Sequence, residues 1–200
     1  MTDKEIILYL RSKFGDCIKE TETLPNAYKG SNLKAILLGA DPTNDGTKEF
    51  KGFKELNTVF GIDEYNEFFR PQLTNLKGIG LNKENLYIQN VCRNYFNVQT
   101  SVNKQWADVA KIWFPLLNEE LNGVDPEKKL PVLITSEVIM KALINPKINR
   151  AREIYDECLS FYSDILKREV FAFYRHPAYS LSLKADKNNT YKGFLKEKFQ

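Results

Sequence analysis

The sequence predicts an α/β protein with a three-layer α/β/α architecture around a central, mostly parallel, four-stranded sheet. Two observations carry this prediction: the chain contains four short apolar runs of strand length, and segments with helical spacing separate one run from the next. Parallel strands require crossover connections of this kind, and the helices then cover both faces of the sheet. Because no repeat, low-complexity segment or linker divides the chain, we expect residues 1–200 to form a single domain.

The four predicted strands are rich in aliphatic, β-branched or aromatic residues, and turn-forming residues bound each of them. They are LKAILLG at 33–39, NLYIQN at 85–90, LPVLITS at 130–136 and EVFAFYR at 169–175.

The predicted helices show apolar residues at spacings of three and four. They are KEIILYLRSKF at 4–14, DEYNEFFRPQLTNL at 63–76, KQWADVAKIWFPLLNEEL at 104–121, SEVIMKALI at 136–144, NRAREIYDECLSFYSDIL at 149–166 and NTYKGFLKEKF at 189–199. We expect Pro71 to kink or restart the second of these helices.

The composition, 42% hydrophobic and 28% charged residues, is that of an ordinary globular protein. The N-terminal segment lacks the separate basic and apolar regions of a secretory signal, and no run approaches the length of a membrane span. Three cysteines, Cys17, Cys92 and Cys158, lie far apart in the chain and form no CxxC pair. We therefore expect a cytoplasmic protein that has no membrane partner and no disulfide framework. The net charge of +3 is too small to indicate a nucleic-acid partner by itself.

Polar residues follow the predicted strands at the points where the strands end. Asp41 follows the first strand, Asn90 ends the second, and Arg175 and His176 follow the fourth. Ligands of parallel α/β sheets bind beyond the carboxyl ends of the strands, so these side chains are expected to converge. A carboxylate that orients water or stabilises a cation, an amide that pairs with a base edge and an imidazole that donates to an anion suit hydrolysis at a heterocycle.

Each of these residues also has a purely structural interpretation. The segment DPTNDG is good turn chemistry, with the side chain of Asp41 able to cap the chain that follows. Asn90 is able simply to close a strand, and a histidine before a proline is commonly a structural residue. The residue types alone therefore name no reaction.

Three segments resemble motifs of the uracil-DNA glycosylase superfamily, in the order in which that family has them. LLGADPTN at 37–44 is similar to the first motif, LYIQNVCRN at 86–94 to the second strand with its base-reading asparagine, and YRHPAYSLS at 174–182 to the histidine motif. VLITSEVIMKAL at 132–143 fits the intervening strand and helix, so the resemblance spans roughly residues 33–197.

The resemblance implies a role for each site residue. Asp41 positions the attacking water or stabilises the sugar cation, Asn90 hydrogen-bonds the pyrimidine edge, and His176 donates to the base oxygen that gains charge. A phenylalanine stacks on the flipped base, with Phe60 the first choice and Phe53 the second. The backbone around Gly39 and Ala40, together with Pro42 and Thr43, shapes the pocket.

The resemblance also implies DNA as the partner of a monomeric enzyme that flips the base out of the helix. Leu181 or Tyr179, in the loop that contains Ser180, would fill the gap left by the extruded base. The expected phosphate contacts come from basic side chains, which are Arg93, Arg175, Lys184 and Lys187. No metal and no other cofactor is expected, because iron–sulfur branches of the family use four cysteines.

The chain differs from the family motifs at two places, of which the first concerns selectivity for uracil and the second the residue that fills the gap in the DNA. Thr43 and Asn44 stand where the best-known branch of the family has a tyrosine and a histidine, respectively. In that branch the tyrosine excludes the methyl group of thymine. In the histidine motif, Leu181 lies one position later than in the family pattern. Besides a uracil or mismatch glycosylase, the sequence therefore allows an inactive member that binds nucleic acid, a nucleotide or a protein partner, and a small-molecule hydrolase.

Overall fold

A computed structural model of the chain describes residues 2–44, 52–64, 66–145, 147, 150–174 and 189–199. Within these residues the protein is α/β, as predicted. Its strands are β1 (Tyr28–Lys29), β2 (Ala35–Gly39), β3 (Leu86–Asn90), β4 (Val132–Ile134), β5 (Ser160–Ser163) and β6 (Arg168–Ala172). Its α-helices are α1 (Asp3–Phe14), α2 (Asn66–Gly78), α3 (Trp106–Val124), α4 (Glu137–Leu143), α5 (Ala151–Asp156) and α6 (Asn189–Phe199).

The strands form one mixed sheet in the order β1-β3-β2-β4-β6-β5. The four central strands β3, β2, β4 and β6 run parallel to one another. The edge strands pair antiparallel, β1 with β3 and β5 with β6. The prediction of a four-stranded sheet is therefore not confirmed, because the described sheet has six strands.

The four apolar runs of the sequence all form strands, and they occupy the centre of the sheet. Every residue of β2, β3 and β4 is buried. Strands that are covered on both faces need apolar side chains at successive positions, which is why these runs show no alternation. The parallel pairing brings the carboxyl ends of all four central strands to the same edge of the sheet.

The edge strand β5 corrects one helix prediction. The segment predicted as a helix over 149–166 is helical only in α5, and its second half pairs with β6 in the register Ser160↔Phe171 to Ser163↔Arg168. Cys158 lies between the two elements with a φ of 54°, outside the right-handed helical region. The segment SFYS has two adjacent aromatic residues between two serines, and Tyr162 remains 60% exposed at the edge of the sheet.

One helix begins at a local capping signal, and two helices contain an internal proline. Thr2 and Glu5 form a capping box at the start of α1. The helix α2 continues through Pro71, and α3 continues through Pro115. No helix in the described part of the chain combines the length and the apolar character that crossing a membrane requires.

Candidate functional site

A cavity of about 170 Å³ lies at the carboxyl ends of β2, β3 and β4. Its lining comes from the ends of these three strands and from the loops that follow β2 and β3. The lining residues are Ala40, Asp41, Pro42, Thr43, Leu56, Phe60, Asn90, Thr100, Thr135 and Ser136. This is the edge at which the sequence placed the candidate site.

Gly39 lets two cavity side chains cross the end of β2. It pairs in register with Asn90 on the neighbouring strand. A Cβ atom at Gly39 would lie 2.2 Å from Oδ1 of Asn90 and 2.6 Å from Cζ of Phe60. Any larger residue would therefore displace the amide, the ring or both. Gly39 leaves room for these two side chains because it has none of its own, whereas Ala40 lines the cavity.

The resemblance makes Phe60 the first choice for a ring that stacks on a base. It is 7% exposed, lines the cavity and packs against Phe69 with 5.3 Å between ring centroids. Its φ of 58° places it in the left-handed region, which is uncommon for an aromatic residue. Phe53, the second choice, packs instead edge-on against Tyr95 at 5.0 Å. Of the two, Phe60 is the ring at the cavity.

Asp41 accepts hydrogen bonds on both carboxylate oxygens. The backbone N–H of Thr43 donates to Oδ1 at 3.0 Å, which is the turn interaction that the structural interpretation predicts. The hydroxyl of Thr100 and Nε1–H of Trp106 donate to Oδ2 at 2.6 and 2.9 Å. The turn therefore explains one oxygen only, and two side chains from distant segments hold the other.

Burial raises the pKa of Asp41 above its ordinary value of 3.8, while the hydrogen bonds from Thr100, Thr43 and Trp106 act in the opposite direction. The thiols of Cys17 and Cys92 interact electrostatically with this carboxylate. Burial raises the pKa of both thiols, so they remain neutral at neutral pH and place no second negative charge beside Asp41.

Asn90 places an unpartnered acceptor in the cavity. Its side chain is 2% exposed, and Oδ1 is buried without a hydrogen-bond donor among the described residues. A side-chain amide that merely closed a strand would be expected to satisfy its oxygen within the protein. The arrangement instead leaves a buried acceptor available to a ligand.

Thr43 and Asn44 hold the loops around the cavity in place. The hydroxyl oxygen of Thr43 accepts from the backbone N–H of Phe96 at 2.9 Å. The buried amide of Asn44 donates to the carbonyl of Lys54 at 2.7 Å and accepts from its N–H at 3.0 Å. Thr43 also lines the cavity beside Pro42, whereas Asn44 acts as a brace between the two segments.

Arg93, one of the expected phosphate contacts, is engaged within the protein. Its guanidinium lies 2.8 Å from a carboxylate oxygen of Asp3 in α1, and its side chain is 22% exposed. A phosphate contact by Arg93 would have to compete with this ion pair. The remaining predicted site residues lie outside the described residues, and these are Arg175, His176, Tyr179, Ser180, Leu181, Lys184 and Lys187.

Sequence reasoning did not assign five residues of this region: Leu56, Thr100, Trp106, Thr135 and Ser136. Trp106 begins α3 and is fully buried. The apolar periodicity of the predicted helix indicated a core residue at this position and gave no sign of a polar contact. Thr100 begins a single 3-10 turn, Thr100–Val102, and belongs to no sequence motif. Ser136 lies two residues after the end of β4, and its position at the end of a predicted strand was the one available signal. Its hydroxyl is buried with no partner in the described structure.

The described residues include no group of three or more histidine, cysteine, aspartate or glutamate side chains that could hold a metal ion. A scan against models of protein families finds no match to the chain, and a search of curated proteins finds none either.

Proposed function

We propose that this protein is a DNA glycosylase of the uracil-DNA glycosylase type, built as a three-layer α/β/α domain. In this role it hydrolyses the N-glycosidic bond of uracil, or of a related damaged or mismatched base, after the base has been flipped out of DNA. The observation that supports the proposal most is the meeting of Asp41, Asn90 and Phe60 on one cavity. The three come from separate segments, and each has the chemistry that the resemblance assigns to it.

The size of the cavity favours a single base. Sites for drug-sized ligands and cofactors usually enclose roughly 300–1,000 Å³. The cavity of about 170 Å³ is smaller, which favours a base-sized group over a whole nucleotide. A flipped base with its sugar at the mouth of the cavity matches this volume.

Asp41 supplies the negative charge that the reaction needs. As the glycosidic bond breaks, positive charge develops on the sugar, and an ionised carboxylate in the lining of the cavity stabilises this charge or orients the attacking water. The two donors on Oδ2 fix the orientation of the carboxylate. A fixed carboxylate needs no reorganisation when the charge develops.

Asn90 and Phe60 hold the base. The unpartnered Oδ1 of Asn90 accepts from a ring N–H at the Watson–Crick edge, and the ring of Phe60 provides an apolar face for stacking. Both side chains are buried, so water does not compete for these contacts.

His176 donates to the base oxygen that becomes negative in the transition state. It follows the end of β6, a strand parallel to β4, so the chain leaves the sheet at the edge where the cavity lies. The histidine motif thus follows the strand that the proposal requires.

The proposal is tested by incubating the protein with end-labelled oligonucleotides that carry one uracil, in single strands and in U·G and U·A pairs. Alkali then breaks any abasic site. We expect strand breaks at the uracil, and we expect them to be abolished in His176→Ala. Absence of breaks on every substrate at high protein excess would contradict the proposal and favour a family member that binds without catalysis.

A further inference from the structure

Ser136 occupies a helix-capping position without acting as a cap. It is the residue that precedes α4, and its side chain makes no capping hydrogen bond. A serine at this position usually accepts from a backbone N–H of the first helical turn. Instead, Oγ of Ser136 is buried with no partner among the described residues, and the residue lines the cavity.

The second unpartnered polar atom of the cavity, Oδ1 of Asn90, lies on the other side of β2. In the strand order β3-β2-β4, Asn90 ends β3 and Ser136 lies two residues after the end of β4, so the two residues lie on either side of β2 at the end from which Asp41 extends. A buried polar atom without a partner destabilises a protein, and native proteins contain few of them. Two on one cavity point to a ligand that supplies the missing partners.

The hydroxyls of the neighbouring threonines are already engaged. Thr135 donates to the carbonyl of Leu38 at 2.9 Å, Thr100 donates to Asp41, and Thr43 accepts from Phe96. The absence of partners is therefore confined, within the described lining, to Asn90 and Ser136. This contrast separates residues that build the cavity from residues that are free to bind its contents.

We propose that Ser136 and Asn90 form a recognition pair, in which two side chains on either side of β2 hydrogen-bond to the same substrate base. Asn90 accepts from a ring N–H, and Ser136 hydrogen-bonds to a second polar atom of the same heterocycle. The ligand class is a planar heterocycle with an N–H donor, such as a 2,4-dioxopyrimidine. This inference rests on the proposed function, since it specifies what the glycosylase cavity reads.

Binding of free uracil, followed by calorimetry, tests the pair without requiring catalysis. We expect Asn90→Ala and Ser136→Ala each to weaken binding by about tenfold or more, since each leaves a polar atom of the base unpaired. Ser101→Ala is the matched control, because Ser101 is exposed beside the cavity residue Thr100 and should bind uracil as the wild type does. N3-methyluracil, which has no ring N–H, should bind weakly to the wild type.

The melting temperature of Ser136→Ala provides an independent readout. Because the hydroxyl has no partner among the described residues, we expect the variant to have the same melting temperature as the wild type. A fall of several degrees would show that the hydroxyl caps α4, and it would overturn the inference. Undiminished uracil binding by Ser136→Ala would also overturn it, as would failure of the wild type to bind uracil at millimolar concentration.

The two proposals fail in different ways. Cleavage of uracil DNA by wild type and Ser136→Ala at equal rates, with equal affinity for uracil, would remove the recognition pair and leave the glycosylase. Loss of uracil binding in both variants, in a protein that cleaves no uracil DNA, would support the recognition pair and contradict the proposed reaction.

Discussion

At the scale of single residues, Asp41 combines a structural and a chemical role. Its Oδ1 closes the turn with Thr43, and its Oδ2 receives two donors from segments that sequence reasoning treated as loop and core. The motif was therefore sufficient to identify Asp41 as the candidate acid. It was insufficient to identify Thr100 and Trp106, because a hydrogen bond between residues distant in sequence leaves no local pattern.

Trp106→Phe tests whether the indole N–H tunes the acid. The hydrogen bond from Trp106 favours the ionised form and lowers the pKa of Asp41, so its removal should raise that pKa. The acid limb of the rate–pH profile should then move to higher pH, because the reaction requires the ionised form. The measurement is the single-turnover cleavage rate as a function of pH.

Trp113→Phe is the matched control for this experiment. Its indole N–H is equally buried but donates to Asn94 at 2.8 Å rather than to Asp41. The control should leave the acid limb where the wild type has it. An acid limb that does not move in Trp106→Phe would show that the indole acts only in packing.

Gly39→Ala tests the close packing beneath the cavity. The added Cβ would meet Asn90 and Phe60 at distances that force both side chains to move. Because misplacement of binding groups by about 1 Å is able to reduce rates about 100-fold, we expect a loss of cleavage of that order. Gly193→Ala is the control, since nothing lies within 4 Å of its added Cβ, and it should retain full activity. Full activity in Gly39→Ala would contradict the assigned positions of Asn90 and Phe60.

At the scale of elements, the buried strands were predictable and the edge strands were not. Strands β2, β3 and β4 are buried on both faces, so they need apolar side chains at successive positions. Such continuous apolar runs are visible in the sequence. The strand β5 has one exposed side and sits in a segment whose spacing also fits a helix, and β1 has only two residues. Pairing with β6 decides the conformation of β5, and tertiary pairing of this kind overrides local preference.

One buried ion pair links β6 to the end of α3. The guanidinium of Arg168 is fully buried, donates to the carbonyls of Leu121, Asp125 and Leu166, and lies 3.4 Å from the carboxylate of Asp125. These contacts satisfy carbonyl groups at the helix terminus that would otherwise lack donors.

Arg168→Met should therefore destabilise the protein by about 3–5 kcal/mol, because it leaves the carboxylate of Asp125 without its ion-pair partner and several buried carbonyls without this donor. The free energy of unfolding in urea measures this effect. Lys167→Met is the control, since the side chain of Lys167 is half exposed and its ion pair with Asp164 is at the surface. Equal stability of the two variants would show that Arg168 does not hold the helix end.

At the scale of the whole molecule, the convergence of the site follows from the topology. The sequence predicted parallel strands, and hence one edge at which post-strand residues meet, but it did not predict the strand order. The order β3-β2-β4 is what places Asn90 and Ser136 on either side of Asp41. Strand order depends on the packing of the complete sheet, which is why the sequence alone assigned no role to Ser136.

The DNA partner predicted from the histidine motif is tested by salt dependence. Arg175→Ala and Lys184→Ala should each weaken binding to all DNA sequences alike and reduce the slope of log affinity against log salt by roughly 1. Fluorescence anisotropy at several salt concentrations gives both quantities. Unchanged affinity and slope in both variants would remove these residues from the interface.

The most direct test of the central claim is a comparison of wild type with Asp41→Asn, in which single-turnover cleavage of uracil DNA and thermal stability are measured together. Burial raises the pKa of Asp41 in the folded protein above its pKa in the unfolded chain. Ionisation of this carboxyl therefore lowers the stability of the fold as the pH rises from the unfolded pKa through the folded pKa. The uncharged amide of Asn does not ionise, so Asp41→Asn removes this loss of stability at neutral pH. For Asp41→Asn we expect a cleavage rate lower by orders of magnitude and a melting temperature close to that of the wild type. Cleavage at the wild-type rate, or a large loss of stability that alone explains the lost activity, would contradict this expectation.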